Sequence, residues 1–282
     1  MITATDIFCL NELGKRANNE DCISPPKGTA TSRDALFIVC DGVGGENKGE
    51  VASEIVSTSI RDYFKNKTSI DGKEKEAIQK AIQYANENLA VYVATDARAK
   101  RMSTTLALVL LGARSVIAAW CGDTRIHHIR NGNIVWKSKD HSLVSELVNQ
   151  GELTEEEAKI HPNRNVVTRS LNTTNSNNDV DFHEIHDFET GDYLLLCTDG
   201  FLEKVDENVI YTILTDKTGK DKAKEFLSYC DGITKDNFSM YLIRGRHITG
   251  KTRIPVSRSV LIISVLLLII IFIAFLLILL NV

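Results

Sequence analysis

The chain has 282 residues, 25% of them charged and 43% apolar, an ordinary globular usage that excludes a mainly disordered or fibrous protein. It carries 33 basic and 37 acidic residues, but five of the basic ones (Arg244, Arg246, Lys251, Arg253, Arg258) form a cluster with no acidic residue in it. Residues 1–243 therefore hold 28 basic against 37 acidic residues, a net of −9. Such a body is a poor partner for nucleic acid, whose phosphates need Lys and Arg, and a better one for cations. The six cysteines, Cys9, Cys22, Cys40, Cys121, Cys197 and Cys230, form no CxxC pair and several sit in apolar runs. They read as buried free thiols of a reducing compartment rather than a disulfide frame or a zinc site. The first ten residues lack a basic segment and contain Asp6, so no secretory signal is expected.

In chain order, residues 35–40 form an apolar strand that stops at Asp41-Gly42. Helical spacing follows over 50–64, with Val51, Ile55 and Ile60 near one face, and over 73–93, with Ala77, Ile78, Ala81, Ile82, Ala85 and Leu89 on one stripe. The β-rich runs 104–111 and 115–120 are separated by Gly112-Ala113-Arg114, a hairpin signal. Asn131-Gly132, between strands 125–130 and 134–137, is a stronger one. Strands 193–197 and 238–243 bring the expected number to at least seven. Short helices are expected at 142–150, 155–159, 207–215 and 221–230, the second opened by the capping box Thr154–Glu157. Residues 138–179, with the polar run 172–178, read as an irregular flap. The pattern suggests an α+β protein with helices covering a largely antiparallel core.

Residues 260–280 are apolar except for Ser264. As a helix they would span roughly 32 Å, close to the hydrocarbon thickness of a bilayer. The expectation is a tail-anchored transmembrane helix at 260–280, preceded by a basic juxtamembrane linker at 244–259. The positive-inside rule then puts domain 1–243 in the cytoplasm.

The chemical signal is a set of carboxylates at strand ends. Asp41-Gly42 and Asp199-Gly200 each close an apolar strand, Asp236-Asn237 opens another, and Glu20-Asp21 and Asp123 lie at further turns. Any one Asp-Gly is most simply a turn. Converging carboxylates, though, repel one another unless cations neutralise them, and all-oxygen ligation favours Mg²⁺ or Mn²⁺.

The order of these pieces resembles the metal-dependent serine/threonine protein phosphatases of type 2C, the PPM family, in their bacterial form. The matching stretches are Gly14-Lys-Arg16-Ala-Asn-Asn-Glu20-Asp21, Asp41-Gly42-Val-Gly44-Gly45, Ser103-Thr104-Thr105, Gly122-Asp123-Thr124-Arg125, Asp140-His141-Ser142, Leu196-Cys-Thr-Asp199-Gly200 and Asp236-Asn237. The resemblance implies a four-layer α-β-β-α sandwich of two largely antiparallel sheets. It implies two Mn²⁺ or Mg²⁺ ions sharing a bridging hydroxide that attacks phosphoserine or phosphothreonine on a protein, with no covalent phosphoenzyme. Asp41 would bridge the ions and the Gly42 carbonyl would complete one site. Asp199 and Asp236 would hold the first ion. Glu20 would act on the second, partly through water, with Asp21 behind the cluster. Asp123, with Asp199, would take a weaker third ion. Arg16 would grip the phosphate in bidentate fashion. The implied partners are phosphoproteins and a serine/threonine kinase whose work is reversed at the membrane.

Two positions depart from the pattern. Val43 stands where some members have a histidine general acid, and Ser103 where glycine is usual. His141 and His161 are the candidate proton donors in the flap, with a structural or solvated role preferred for both. Arg164 and Arg169 are candidate peptide contacts on the same terms. Two other readings remain: a membrane-tethered pseudophosphatase that only binds, and a hydrolase of small phosphate esters.

Overall fold

The computed structural model describes residues 1–43, 48–65, 72–173 and 180–248. Among these residues lie eleven strands, against the seven or more expected. One sheet is five-stranded and antiparallel, in the order β1 (Ile2–Glu12), β11 (Phe238–His247), β10 (Tyr193–Cys197), β7 (Arg125–Arg130), β8 (Asn133–Lys137). The other follows β2 (Asp21–Ser24), β3 (Leu36–Val43), β5 (Leu106–Leu111), β6 (Val116–Cys121), β9 (Asp181–Ile185), with β4 (Ser103–Thr104) paired to the end of β3.

Side-chain alternation builds four layers from these sheets. Phe37 and Val39 of β3 face Leu194 and Leu196 of β10 and Tyr241 of β11 across the sandwich. Ile38 and Cys40, one residue out of phase, pack under α1 (Gly49–Lys65) and α2 (Glu74–Thr95), against Val56, Ile60, Ile78 and Leu89. On the other side Leu195, Cys197 and Met240 pack under α5 (Asp199–Leu202), α6 (Glu207–Thr215) and α7 (Lys222–Cys230), against Phe201, Ile210 and Phe226. Both faces of the central strands are therefore covered, which is why they read as continuous apolar runs. This is the α-β-β-α sandwich the resemblance implied.

The hairpins fall where the turn residues put them. Asn131 and Gly132 both have positive φ, 52° and 81°, the backbone that a two-residue turn with the right twist requires. The strands absent from the sequence reading are mostly edge or polar pieces. β1 is polar enough to show no clean alternation, and its partner, β11, lies more than two hundred residues away: Ile2 pairs with His247. The single expected strand 104–111 is broken at Thr105, whose N–H and hydroxyl are both used on the backbone of Asp41, donating to its carbonyl at 2.8 Å and accepting from its N–H at 2.9 Å.

The flap holds the two short helices expected at 142–150 and 155–159. It contains α3 (Leu143–Asn149), capped by Ser142, and α4 (Glu155–Ile160), whose Thr154–Glu157 capping box is complete. A bridge between Ser142 and Val167 closes the flap on itself, and one between Thr104 and Leu171 ties it to β4. The domain boundary expected at 243 also moves. β11 continues to His247, so Arg244 and Arg246 belong to the strand rather than the linker, with Arg244 held 3.5 Å from Asp6. The compact unit Met1–His247 contains every element named here. The segments 260–280 and 249–259 lie outside the described residues, and among the described residues no helix is long and apolar enough to cross a membrane.

Candidate metal centre and phosphate site

Antiparallel order delivers the carboxylates to one edge. β3 and β6 end where β2 and β5 begin, and β10 ends where β7 and β11 begin. Asp41 at the end of β3, Asp123 between β6 and β7, Asp199 after β10 and Asp236 before β11 therefore meet around one cleft of about 360 Å³. Glu20, from the loop before β2, and Arg16 complete its charged lining, together with Gly42 and Val43. Asp21 stands behind this wall, paired in register with Asp41 across β2 and β3; it is only 7% exposed, and its Oδ2 accepts from the Thr198 hydroxyl at 3.1 Å. Every expected site residue is thus found at one sheet edge, seven around the cleft and Asp21 behind it. The Gly44-Gly45 part of the motif lies outside the described residues.

Close backbone approach makes the cleft. A Cβ on Gly42 would come within 2.3 Å of the Gly49 backbone at the start of α1, and its N–H donates to the Glu20 carbonyl at 3.1 Å. Gly14, with φ of +60°, lets the Arg16 loop run against the Asp236 carbonyl, which a Cβ would meet at 1.9 Å.

Charge in this cleft is poorly balanced. Burial, with neighbouring carboxylates adding to it, pushes the Asp41 carboxyl well above the ordinary range, Asp21 to about 8, Asp123 to about 7 and Asp199 to about 6. Arg16 is the cation in the lining, its Nη2 2.6 Å from Asp236 Oδ2. The Asp21 Oδ1 is buried without a hydrogen-bond partner. A crowd of desolvated carboxylates with one orphaned oxygen and no His or Cys in the lining is the donor set of hard divalent cations. Among the described residues no three His, Cys, Asp or Glu side chains are gathered tightly enough to close round an ion as they stand. Donors spread over the walls suit ions that keep several waters, as Mg²⁺ does.

Sequence reasoning missed the residues that hold this edge in place. Asn237 gives its amide N–H groups to the carbonyls of Leu13 and Asn18, at 2.8 and 2.9 Å, and its Oδ1 accepts from the Glu20 N–H at 2.9 Å, so one side chain clamps the whole Arg16–Glu20 loop. Arg125 donates to the Asp123 carbonyl at 3.0 Å and pairs with Asp140, fixing the turn that carries Asp123. Both residues stood in the matched motifs, but bonds from a side chain to a distant backbone carbonyl, as from Asn237 to Leu13, or to another loop's carboxylate, as from Arg125 to Asp140, leave no periodic trace.

The histidine donors fare as the structural reading preferred. His141 is 5% exposed; its Nδ1 accepts from the Gly122 N–H at 3.2 Å and its Nε2 faces Asp181 at 3.1 Å, so both ring nitrogens are engaged. His161 caps α4 and accepts from the Asn163 N–H. Neither lines the cleft; Asn165 and Val167 are what the flap contributes. Arg169 pairs with Asp181 at 3.4 Å. Cys40 and Cys197, beside the key aspartates, are fully buried and burial raises their thiols, which leaves them as core.

The comparisons with known proteins agree with this geometry. The family described as protein phosphatase 2C matches residues 13–229. The serine/threonine phosphatase stp of Listeria monocytogenes is 34% identical over 222 residues, covering 77% of this chain and 87% of the relative. The S. agalactiae serine/threonine phosphatase structure superposes with a TM-score of 0.74 at 30% identity, covering 86% of this chain and 99% of the other. A structure of the catalytic domain of the phosphatase PstP in complex with two manganese ions shares the fold, with a TM-score of 0.71 at 24% identity over 87% of this chain and all of the other. A match over most of the compact unit, with the charged cleft in the family's order, places the chain in the protein phosphatase 2C family, and it is a protein serine/threonine phosphatase.

Proposed function

We propose that the chain hydrolyses phosphoserine and phosphothreonine on proteins with the help of two Mn²⁺ or Mg²⁺ ions and a weaker third. The observation that carries this is the convergence of Glu20, Asp41, Asp123, Asp199 and Asp236 with Arg16 around one cleft. Asp41 would serve both ions and the Gly42 carbonyl would complete one site; Asp199 and Asp236 would hold the first ion, Glu20 would act on the second, and Asp123 with Asp199 would take the third. Asp21 supports Asp41 from behind. When bound, such ions lower the pKa of water and neutralise phosphoryl charge.

The chain's own residues supply the rest. Arg16, with a side chain 56% exposed, reaches the phosphate while Asp236 orients its guanidinium. Its planar fork matches two equatorial oxygens, over which the transition state spreads charge. Val43 gives the cleft an apolar wall in place of an ionisable one, so the leaving alkoxide takes its proton from water. The fully buried cysteines take no part.

The location we infer is a membrane, with 260–280 spanning it and the catalytic unit on the cytoplasmic face, where the enzyme opposes a serine/threonine kinase. The support is the apolar run and the basic residues before it. Two measurements test the reading. The full chain in neutral detergent should release phosphate from a phosphothreonine peptide with Mn²⁺ and lose this with EDTA. Binding of Mn²⁺ without turnover would instead favour the pseudophosphatase. The full chain should sediment with membranes and a chain lacking 260–280 should not; equal partitioning would remove the anchor.

A further inference from the structure

The short 3₁₀ turn Ala97–Arg101, between α2 and β4, carries Arg98, Lys100 and Arg101. All three side chains are exposed, whereas Ala99 and Met102 are buried at 0% and 1% in the core under α1 and α2. The turn is therefore bolted down by its apolar residues and its cations are held outward. Asp96 caps it, accepting from the Arg98 N–H at 3.0 Å, and also takes the Arg98 guanidinium at 3.0 Å and the Lys48 ammonium at 2.9 Å. One carboxylate thus serves two cations. Among the described residues Lys100 and Arg101 have no acidic partner within ion-pair distance.

The placement of this turn gives it a use. Met102 leads straight into β4, where Ser103 pairs with Val43 and its hydroxyl donates to the Val43 carbonyl at 3.4 Å. Val43 lines the cleft. Two residues along the chain and one strand spacing across put the Arg101 backbone within roughly 12 Å of that rim. A 3₁₀ turn also eclipses positions three apart, so Arg98 and Arg101 share a face. Like charges at such spacing cost stability. Solubility of a body with net −9 does not call for them. What the cluster does offer is attraction at the mouth of a cleft whose own carboxylates repel anionic chains.

We propose that this basic turn is a docking point for substrate, selecting phosphoproteins with Asp or Glu a few residues from the phosphorylated Ser or Thr; this rests on the phosphatase reading above. An extended peptide advances about 3.3 Å per residue, so a carboxylate roughly three to five residues from the phosphate reaches Lys100 and Arg101. A lipid surface is the less favoured partner. β11 runs from Phe238, just after Asp236 at the cleft, to its end at His247, so the compact unit's last strand leaves from the end opposite this turn.

The test uses the full chain in neutral detergent with Mn²⁺, as wild type and as Lys100→Glu/Arg101→Glu. The substrates are phosphothreonine peptides with acidic, neutral or basic flanks on either side, and p-nitrophenyl phosphate. Wild type should favour the better acidic peptide by about fivefold to tenfold in kcat/KM, and the preference should shrink with salt. The double variant should lose or invert that preference while turning over p-nitrophenyl phosphate as wild type does. An unchanged peptide preference, or an equal loss on p-nitrophenyl phosphate, overturns the proposal. Fluorescence anisotropy of the labelled acidic peptide reads the same difference by binding alone, so a failure of catalysis is told apart from a failure of docking. With the full chain reconstituted in liposomes, a variant whose turnover loses a dependence on phosphatidylserine content that wild type shows, with peptide preference intact, assigns the turn to lipid instead and overturns docking.

Discussion

The two ends of β10 carry aspartates in opposite circumstances. Before the strand, Asp192 is 2% exposed and accepts from His128 at 2.7 Å, from Arg130 at 2.8 Å and from the Glu189 N–H at 2.9 Å. Burial works against its charge, but the Arg130, Glu189 and His128 bonds outweigh it and hold its carboxyl below the ordinary range. After the strand, Asp199 is pushed up to about 6 by burial and by Asp236. One end closes its charge with side chains of its own, as a structural site must. The other leaves carboxylates crowded and short of cations, which is the mark of a site built for something it does not itself contain.

The sharpest way to break this comparison is to remove one carboxylate at each end. Asp41→Asn or Asp199→Asn should lower phosphate release from a phosphothreonine peptide by more than about a thousandfold, with the fold retained by circular dichroism. An active Asp199→Asn would show that the crowding has no catalytic purpose. At the other end, Asp192→Ala leaves the buried His128 ring and the Glu189 N–H without their acceptor, while Arg130 keeps Glu189 at 3.2 Å, and should cost about 1–3 kcal/mol in denaturant unfolding. Activity per folded molecule should be unchanged; a loss of activity without a loss of stability would erase the distinction.

A smaller effect is expected from the clamp. Asn237→Ala should reduce kcat/KM or Mn²⁺ affinity by about ten- to a hundredfold, because it releases the loop that carries Arg16 and Glu20 without touching a ligand oxygen. Metal titration followed by turnover separates the two.

The smallest effect is a pH dependence. The Asp21, Asp41, Asp123 and Asp199 carboxyls sit above their unfolded value near 4 when no cation is present. Groups raised in this way favour folding most at low pH, and that contribution is lost as pH climbs from about 4 to about 8. Without metal, Tm should fall between pH 5 and pH 8. Added Mn²⁺ should raise it more at pH 8 than at pH 5, by at least about 3 °C. An equal rise at both would mean that the ions do not bind the crowded carboxylates.

How much of this was legible beforehand follows the range of the signal. Asn131-Gly132, the Thr154 capping box and the apolar stripe of α2 act within a few residues, and each formed where its spacing said. The site residues were legible because strand-end Asp-Gly pairs keep a family order. Ile2 beside His247, Asn237 on Leu13, and Arg125 on Asp140 were not, because nothing in either local pattern encodes its partner.

The sequence by itself determined the chemistry: which side chains are oxygen donors, which is the guanidinium, and that the cysteines stand in apolar strands. Only the tertiary structure decided that the carboxylates share one sheet edge, that His141 is spent on Gly122 and Asp181, and that a basic turn stands at the rim. The physical reason is that donor type belongs to each residue alone, whereas burial, charge balance and reach depend on antiparallel pairing between segments far apart in the chain.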